Sequence, residues 1–571
     1  MFVDAHSVET GATIQADLCI IGAGAAGISI ARRLAGTPAR VALLESGGPE
    51  FGEQSQALYD APQLGIPYEP LSATRLRYFG GTTGHWGGVC RPFEEADFQP
   101  RPGVPYSGWP ITLADVQPFY PEAAEICGVS SGEWDVGEWA SRDRWDPLPF
   151  DATRIVTRVA QVASKDLRRF GTTYRNEFDR APNVTVFLNA NVTSLATDPA
   201  GTAATSAQVA TLGGQRFTLA ARTFVLAAGA VENPRLLLVS NERWPAGLGN
   251  SHGIVGRFFH DHPRFAGAVI EPSDPSIPIG FYQNHEVAGS TLQCYTSLSR
   301  EMQMAEGWMD VQLRLSPVYD EHFLKADRSE DATSARSLME ALEGRRGQDG
   351  FLDLARHIRN VIVDLGTWQR FTIPGAPVPL PYPDIARTVW ESDRRERSNL
   401  VPPLLGDVAA SGYNDYFGAP VSRLVVTPRI EQVPDPESRI LLIDGRDGLG
   451  MPRVACDARL NEADRRNYRR ALEVLGMEVG RLGIGRLKML YGERETAWPD
   501  DLTGGPHLMG TTRMSDDPAK GVVDRNCLVH GMSNLYIAGS SVFPTGGSGT
   551  PTLTLVALAL RLADHLSEAM R

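Results

Sequence analysis

No stretch of this 571-residue chain stays apolar over the roughly 18 residues that a membrane-spanning helix needs. Its N-terminus also lacks the basic-then-apolar layout of a secretory signal. The expectation is a cytoplasmic protein with no membrane segment. Cysteine is sparse and scattered: Cys19, Cys90, Cys127, Cys294, Cys456 and Cys527. No local spacing therefore supports a zinc site, or an iron–sulfur cluster that would carry electrons out of this chain, and the thiols read as reduced and buried. Lysine is nearly absent, so the 55 basic residues are almost all arginine, and 68 acidic residues outnumber them for a net charge of −13. That balance argues against nucleic acid or an anionic membrane as partner. Solubility explains the acidity better than attraction of a cationic substrate does. Internal repeats and low-complexity tracts are missing as well.

What is present suits an ordinary globular enzyme. Hydrophobic residues make up 42% and charged residues 22%, and the length is too great for one simple core, so two connected domains are expected. The chain opens as a βαβ unit, with a strand over 16–21, a glycine turn over 22–27, a helix over 28–34 and a second strand over 41–44. From Gly47 to about Tyr120 glycine, proline and aromatics dominate, and so long an aperiodic segment usually wraps a ligand. Helical spacing predicts a helix over 151–170. Strands follow at 184–188, 192–196, 215–220 and 222–228. Beyond residue 261 strands (291–298, 309–316, 424–431) mix with helices (334–343, 351–365, 462–482), and an apolar helix closes the chain from Pro551 to about Met570.

The sharpest signal is Gly22-Ala23-Gly24-Ala25-Ala26-Gly27 between the first strand and the first helix. There the first glycine permits the turn, the second lets a pyrophosphate approach, and the third allows close helix–strand packing. The helix N-terminus offers unpaired N–H groups to phosphates. Glu45, ending the second strand with no basic neighbour, can accept both ribose hydroxyls and disfavours a 2′-phosphate. The strand 223–226 runs into the small residues Ala227, Ala228 and Gly229, and a C-terminal strand runs into Gly539-Ser540. Their joint order points to FAD rather than NAD.

The chain resembles the glucose–methanol–choline (GMC) oxidoreductases, within the branch of pyranose oxidases, glycoside 3-oxidoreductases and fructose or gluconate dehydrogenases. The matching stretches follow one another in family order. They are the fingerprint, Gly80-Gly81-Thr82-Thr83-Gly84-His85-Trp86-Gly87-Gly88, Gly229–Arg235, Gly256–Pro263, Glu431–Arg439, His507–Met514, Phe543-Pro544-Thr545 and Pro551–Thr554. The resemblance implies an α/β fold in which a Rossmann-like FAD-binding domain (1–100, 180–260 and 501–571) joins an α+β substrate-binding domain (261–500), with 101–179 wrapping cofactor and substrate. It implies oxidation of an alcohol by hydride transfer to flavin N5, for which a base, a second polar group at the substrate oxygen and a positive environment for the reduced flavin are needed.

His507 matches the family's catalytic histidine. Thr550 stands where close relatives place Asn or His. It also precedes Pro551 and Thr552 at the start of the last helix, where Thr favours the N-cap and Pro the first turn. That helix N-terminus is expected at the flavin's pyrimidine edge. Gly81, Thr82, Thr83, His85 and Trp86 are expected against the flavin. His85 aligns with the histidine bonded to flavin in some pyranose oxidases, but a noncovalent site is expected here. Val192 fits the position whose backbone meets the adenine. His260 and His262, two apart, lack a third ligand at fitting spacing, so no metal is expected. Trp86, Trp109, Tyr295 and Trp308 could stack on a sugar, although core packing explains each.

The function expected from the resemblance is oxidation of a secondary hydroxyl of a sugar or glycoside to a ketone, with oxygen or a quinone as electron acceptor. Oxidation of an aminoglycoside or another natural-product alcohol is the alternative, and a non-redox lyase on the same fold a lesser one.

Overall fold

A computed structural model describes residues 1–571 apart from 67, 133, 320–420, 492–496, 500 and 571. The expected helices at 334–343 and 351–365 lie outside the described residues. One six-stranded, wholly parallel sheet has the order Phe2–Asp4, Val184–Leu188, Val41–Leu44, Leu18–Ile21, Thr223–Leu226, Leu535–Ile537. Its two central strands, Val41–Leu44 and Leu18–Ile21, are buried at every position, as a parallel sheet covered on both faces requires. The sheet joins the first residues of the chain to the last forty, because Leu226 lies in register with Ile21 on one side and Ile537 on the other.

Two helices pack together over this sheet. Ala25–Arg33 buries Ile28, Ile30 and Ala31 and puts Arg32 and Arg33 in its last turn, where they complement the helix dipole. Thr552–Ala569 buries Leu553, Val556, Leu560 and Ala563 in the same core. A four-stranded sheet, Thr13–Gln15, Arg216–Ala220, Ala204–Ala210 and Asn191–Thr197, flanks the parallel one; its strand 204–210 has no counterpart in the sequence-based expectations.

Among the described residues a third, eight-stranded sheet carries a separate core. The helix Glu462–Arg481 lays Tyr468, Leu472, Leu475 and Val479 on it. Asn461 and Asp464 start that helix with a reciprocal capping box.

One expectation is overturned here. Residues 151–170 are not a helix: Ile155–Val162 is a strand, paired antiparallel with Ser290–Leu298 along its whole length. The β-branched Ile155, Val156, Thr157, Val159 and Val162 favour a pleated surface, and eight cross-strand neighbours outweigh the helical spacing.

Candidate active site

A single cavity is lined by Gly22, Gly24, Ala26, Glu45, Gly81, Thr82, Thr83, Val192, Ala228, Gly229, Gly539, Ser540, Pro551 and Thr552, with His507 joining them. Residues from the first fifty, the middle and the last seventy positions thus meet around one space. Gly22 sits at φ +109°, where any Cβ would overlap the Ala227 carbonyl, and any Cβ on Gly27 would overlap the Gly22 carbonyl. Around Gly24 nothing lies within 4 Å of a built Cβ. Two glycines therefore lock the turn, and the third leaves room for a ligand. Gly24, at the N-cap of Ala25–Arg33, has no side-chain cap, so that end keeps N–H groups for an anion.

Glu45 is buried, and its carboxylate accepts from the Ala23 amide at 3.1 Å and the Gly47 amide at 2.9 Å. Burial pushes its pKa up against those two bonds. The absence of a basic neighbour holds only along the sequence, because the Arg77 guanidinium acts on Glu45 through space. Arg77 belongs to a group that the sequence did not reveal. Arg75, Arg77 and Arg235 surround Glu232 at 3.1–3.2 Å. Burial would raise the Glu232 pKa, but Arg77, Arg235 and Arg75 hold it at about 2. Arg75 and Arg77 stack on Tyr59. Tyr59, the two arginines, Asn191, Glu232, Arg235, Leu449 and Met451 all line the cavity. Their positions span almost four hundred residues, which no local motif could signal.

His507 is half-buried on a loop fixed by one carboxylate. Asp261 accepts from the backbone amides of His262 (2.6 Å), His507 (2.8 Å) and Gly505 (3.1 Å), and burial raises its pKa to about 6. His507 Nδ1 lies 2.8 Å from His262 Nδ1, the rings nearly perpendicular. Burial, then His262, Arg429 and Arg264, hold the His507 pKa well below the usual imidazole range, so its ring is neutral at physiological pH.

Four expected residues do not line the cavity. Gly27 works through packing. Trp86 donates its Nε1–H to the Arg168 carbonyl at 2.5 Å and meets Phe170 edge-on. His85 bonds to the Thr74 backbone, and burial depresses its pKa to about 4. Thr550 is 7% exposed and its hydroxyl has no hydrogen-bond partner. It is not the N-cap: that role falls to Pro551, whose carbonyl accepts from the Leu555 amide at 2.8 Å. Pro551 accepts the first bond of a helix that begins at Thr552, so the helix boundary lies one residue beyond the expected place.

The aromatics named as stacking candidates serve mainly packing. Trp109 is buried among Phe93, Phe98 and Phe543 and donates to Thr545, Tyr295 is buried, and Trp308 donates to the Glu306 carboxylate. No group of three or more candidate metal ligands occurs among the described residues, and no described helix is long and apolar enough to cross a membrane.

The donor set fits FAD: an open glycine turn at an uncapped helix N-terminus, a buried ribose acceptor in Glu45, and a neutral histidine lining the same space. Residues 17–243 match the family model "FAD dependent oxidoreductase" and residues 434–559 match "GMC oxidoreductase". The chain is similar to a 2-methyl-1,2-propanediol dehydrogenase of Mycolicibacterium austroafricanum, 23% identical over 97% of this chain and 95% of that protein. It is 24% identical to a 6′′′-hydroxyparomomycin C oxidase of Streptomyces lividus over 96% of this chain and 92% of that one. A C-glycoside 3-oxidase of Arthrobacter globiformis is 35% identical over 22% of this chain and 23% of its own. Among solved structures, pyridoxine 4-oxidase from Mesorbium loti superposes with a TM-score of 0.51 at 18% identity, covering 97% of this chain and 99% of its own. With both family models matching in the expected order around one cavity, the chain is an FAD-dependent oxidoreductase whose residues 434–559 are similar to the GMC oxidoreductases.

Proposed function

We propose that the chain oxidises a secondary hydroxyl of a sugar or glycoside to the ketone, with His507 as the base. The observation that carries this reading is the presence of a neutral, half-buried imidazole in the same cavity as the dinucleotide turn. When bound, FAD supplies the acceptor for the hydride that leaves the carbinol carbon. His507 takes the hydroxyl proton from the substrate, and Thr550, buried without a partner next to the lining residue Pro551, is the second group for the substrate oxygen once its side chain turns toward the cavity. The N-terminus of Thr552–Ala569 supplies positive potential for the charge that develops. Glu45, Gly24 and the first helix hold the adenosine and pyrophosphate, with Val192 and the Tyr59–Arg77 group at the adenosine end.

On this reading residues 1–100, 180–260 and 501–571 form the FAD unit and 261–500 the substrate unit. His85 carries no bond to the flavin, since its ring lies off the cavity lining and is engaged by the Thr74 backbone. Acid precipitation checks this: the yellow colour leaves with the supernatant, and colour retained in the pellet would show a covalent link. The aminoglycoside alternative draws support from similarity to the paromomycin-series oxidase over nearly the full length. An anaerobic stopped-flow screen of sugars, glycosides and aminoglycosides for flavin bleaching tests both readings. Bleaching by none of them would remove both. Reoxidation with oxygen, and separately with a quinone, then distinguishes oxidase from dehydrogenase.

A further inference from the structure

We infer that His262 is a positioning residue that selects the tautomer of His507, placing the single ring proton on His507 Nδ1 and leaving Nε2 bare as the proton acceptor. This rests on His507 being the base proposed above. The inference follows a chain of donors and acceptors that starts at a backbone carbonyl. Gly547 O lies 2.5 Å from His262 Nε2. A carbonyl only accepts, so that nitrogen bears the hydrogen.

His262 is fully buried, and burial, with Arg429 and His260 nearby, pushes its pKa down to about 3. The ring is therefore neutral and has one proton, already committed to Gly547. Its Nδ1 is bare and faces His507 Nδ1 at 2.8 Å. Two bare nitrogens at that distance would repel, so His507 Nδ1 must donate. His507 is neutral as well, and its own proton is now accounted for. What remains is the Nε2 lone pair, the form a base needs.

Each member of the relay is held from outside it. The His262 and His507 amides both donate to the same oxygen of Asp261. The Gly547 amide donates to Glu431 at 2.8 Å, and the next residue, Ser548, donates its hydroxyl to Asp310 at 2.5 Å. The Gly547 carbonyl is thus fixed by buried carboxylates, and the tautomer of a ring two residues removed along the relay is fixed with it. When Nε2 takes the substrate hydroxyl proton, Nδ1–H continues to donate to His262 and no ring needs to turn. Arg264 and Arg429 disfavour the imidazolium, which keeps the resting ring neutral.

Three measurements on the FAD-loaded enzyme test this. In His262→Asn the side-chain oxygen replaces the Nδ1 acceptor, whereas His262→Leu fills the space and accepts nothing. Anaerobic flavin reduction is expected to slow about 10-fold or more in His262→Leu, a part of the roughly 10²–10⁴-fold that a positioned base contributes, with the half-saturating substrate concentration little changed. His262→Asn is expected within a few-fold of wild type. Histidine-selective ¹⁵N NMR is expected to show His507 protonated at Nδ1 in the wild type and in His262→Asn, and the tautomer redistributed in His262→Leu.

A wild-type spectrum with the His507 proton on Nε2 would overturn the inference whether or not either variant folds. Equal slowing of the Asn and Leu variants would also overturn it, as would an unslowed Leu variant. If His507→Ala is slow while His262→Leu is not, only the relay fails; if His507→Ala is itself unimpaired, the base assignment fails instead.

Discussion

The two ends of the cavity are built in opposite ways. At the adenosine end, the glycine turn, the helix it opens and Glu45 come from one run of 24 residues, Gly22 to Glu45, folded as a single βαβ unit. At the histidine end, the groups that fix His507 come from Asp261-His262, Glu431, Gly505 and Gly547. On the proposed reading, a ligand as long as a dinucleotide is gripped by local structure at one end, and the base is aimed by tertiary structure at the other. The first can be held by a motif, because phosphate and ribose recognition needs only a backbone turn and one acid. The second needs a single ring orientation, which only contacts from several elements determine.

Removing the ring should expose this difference most strongly. His507→Ala is expected to slow anaerobic flavin reduction by about 10²–10⁴-fold while the protein retains FAD, because nothing at the adenosine end depends on it. Since burial and the neighbouring cations lower the His507 pKa, the wild-type rate of flavin reduction should not fall between pH 8 and pH 6, where an ordinary imidazole begins to protonate. Loss of FAD from His507→Ala, or a rate that falls through that range, would show that the two ends are not independent.

The converse change is Glu45→Ala. It deletes the proposed ribose acceptor and leaves the Ala23 and Gly47 amides unpaired, where an unmet buried donor costs about 1–3 kcal/mol. FAD affinity, followed by release of flavin fluorescence on dilution, should weaken by about 10-fold or more, with flavin reduction in the loaded fraction near wild type. A Glu45→Ala protein that kept its affinity but lost its rate would invert the comparison.

These contrasts also explain how far the sequence could be read. Five of the six parallel-sheet strands and the fingerprint helix were legible as apolar runs, and Val41–Leu44 falls where expected, whereas the short, partly exposed edge strand Phe2–Asp4 was not. His507 was legible only through its family motif; nothing in its composition or periodicity marks it. His262 was met as half of a metal question, since two histidines two residues apart say nothing about a third that lies 245 positions away. Arg75 and Arg77 belong to no motif in the sequence, and their burial rests on Glu232. The strand at 155–162 was misread because its partner, 290–298, is likewise remote. Local chemistry was visible in the sequence, and pairing across distance was not.

A smaller effect should appear at Asp97, whose backbone carbonyl accepts from Thr545 on the segment leading to Thr550. Burial, with Glu94 and Asp310 nearby, raises the Asp97 pKa to about 6 from 3.8. The folded state therefore binds this proton more tightly than the unfolded chain. Stability from this group is complete below about pH 4, falls as pH rises to about 6, and stays lower above. Asp97→Asn cannot lose that proton, so its melting temperature relative to wild type should rise from pH 4.5 to pH 8. A difference that stayed constant, or shrank, across that interval would place the ionised carboxylate among the stabilising groups. Glu45, raised by burial but bonded to two amides, is the counterpart at the adenosine end.

The smallest expected effect belongs to Thr550, and there stability and rate should part. Its hydroxyl is buried without a partner, and burying a lone hydroxyl costs about 1–3 kcal/mol by mutational measures. Thr550→Val keeps the shape and removes the unmet group. Because Pro551 rather than Thr550 caps the last helix, no cap is lost. The melting temperature of the holoenzyme should accordingly hold or rise. If the hydroxyl meets the substrate oxygen, flavin reduction should slow in the same protein, by less than the His507→Ala defect, since one neutral hydrogen bond is worth about 0.5–1.5 kcal/mol. Thr550→Asn, with both a donor and an acceptor, should restore the rate. A Thr550→Val enzyme that melts lower than wild type would show the hydroxyl to be structurally satisfied. One that reduces flavin as slowly as His507→Ala would make Thr550 an equal partner in the chemistry, so that the histidine end of the cavity would depend on two groups where the present geometry assigns it one.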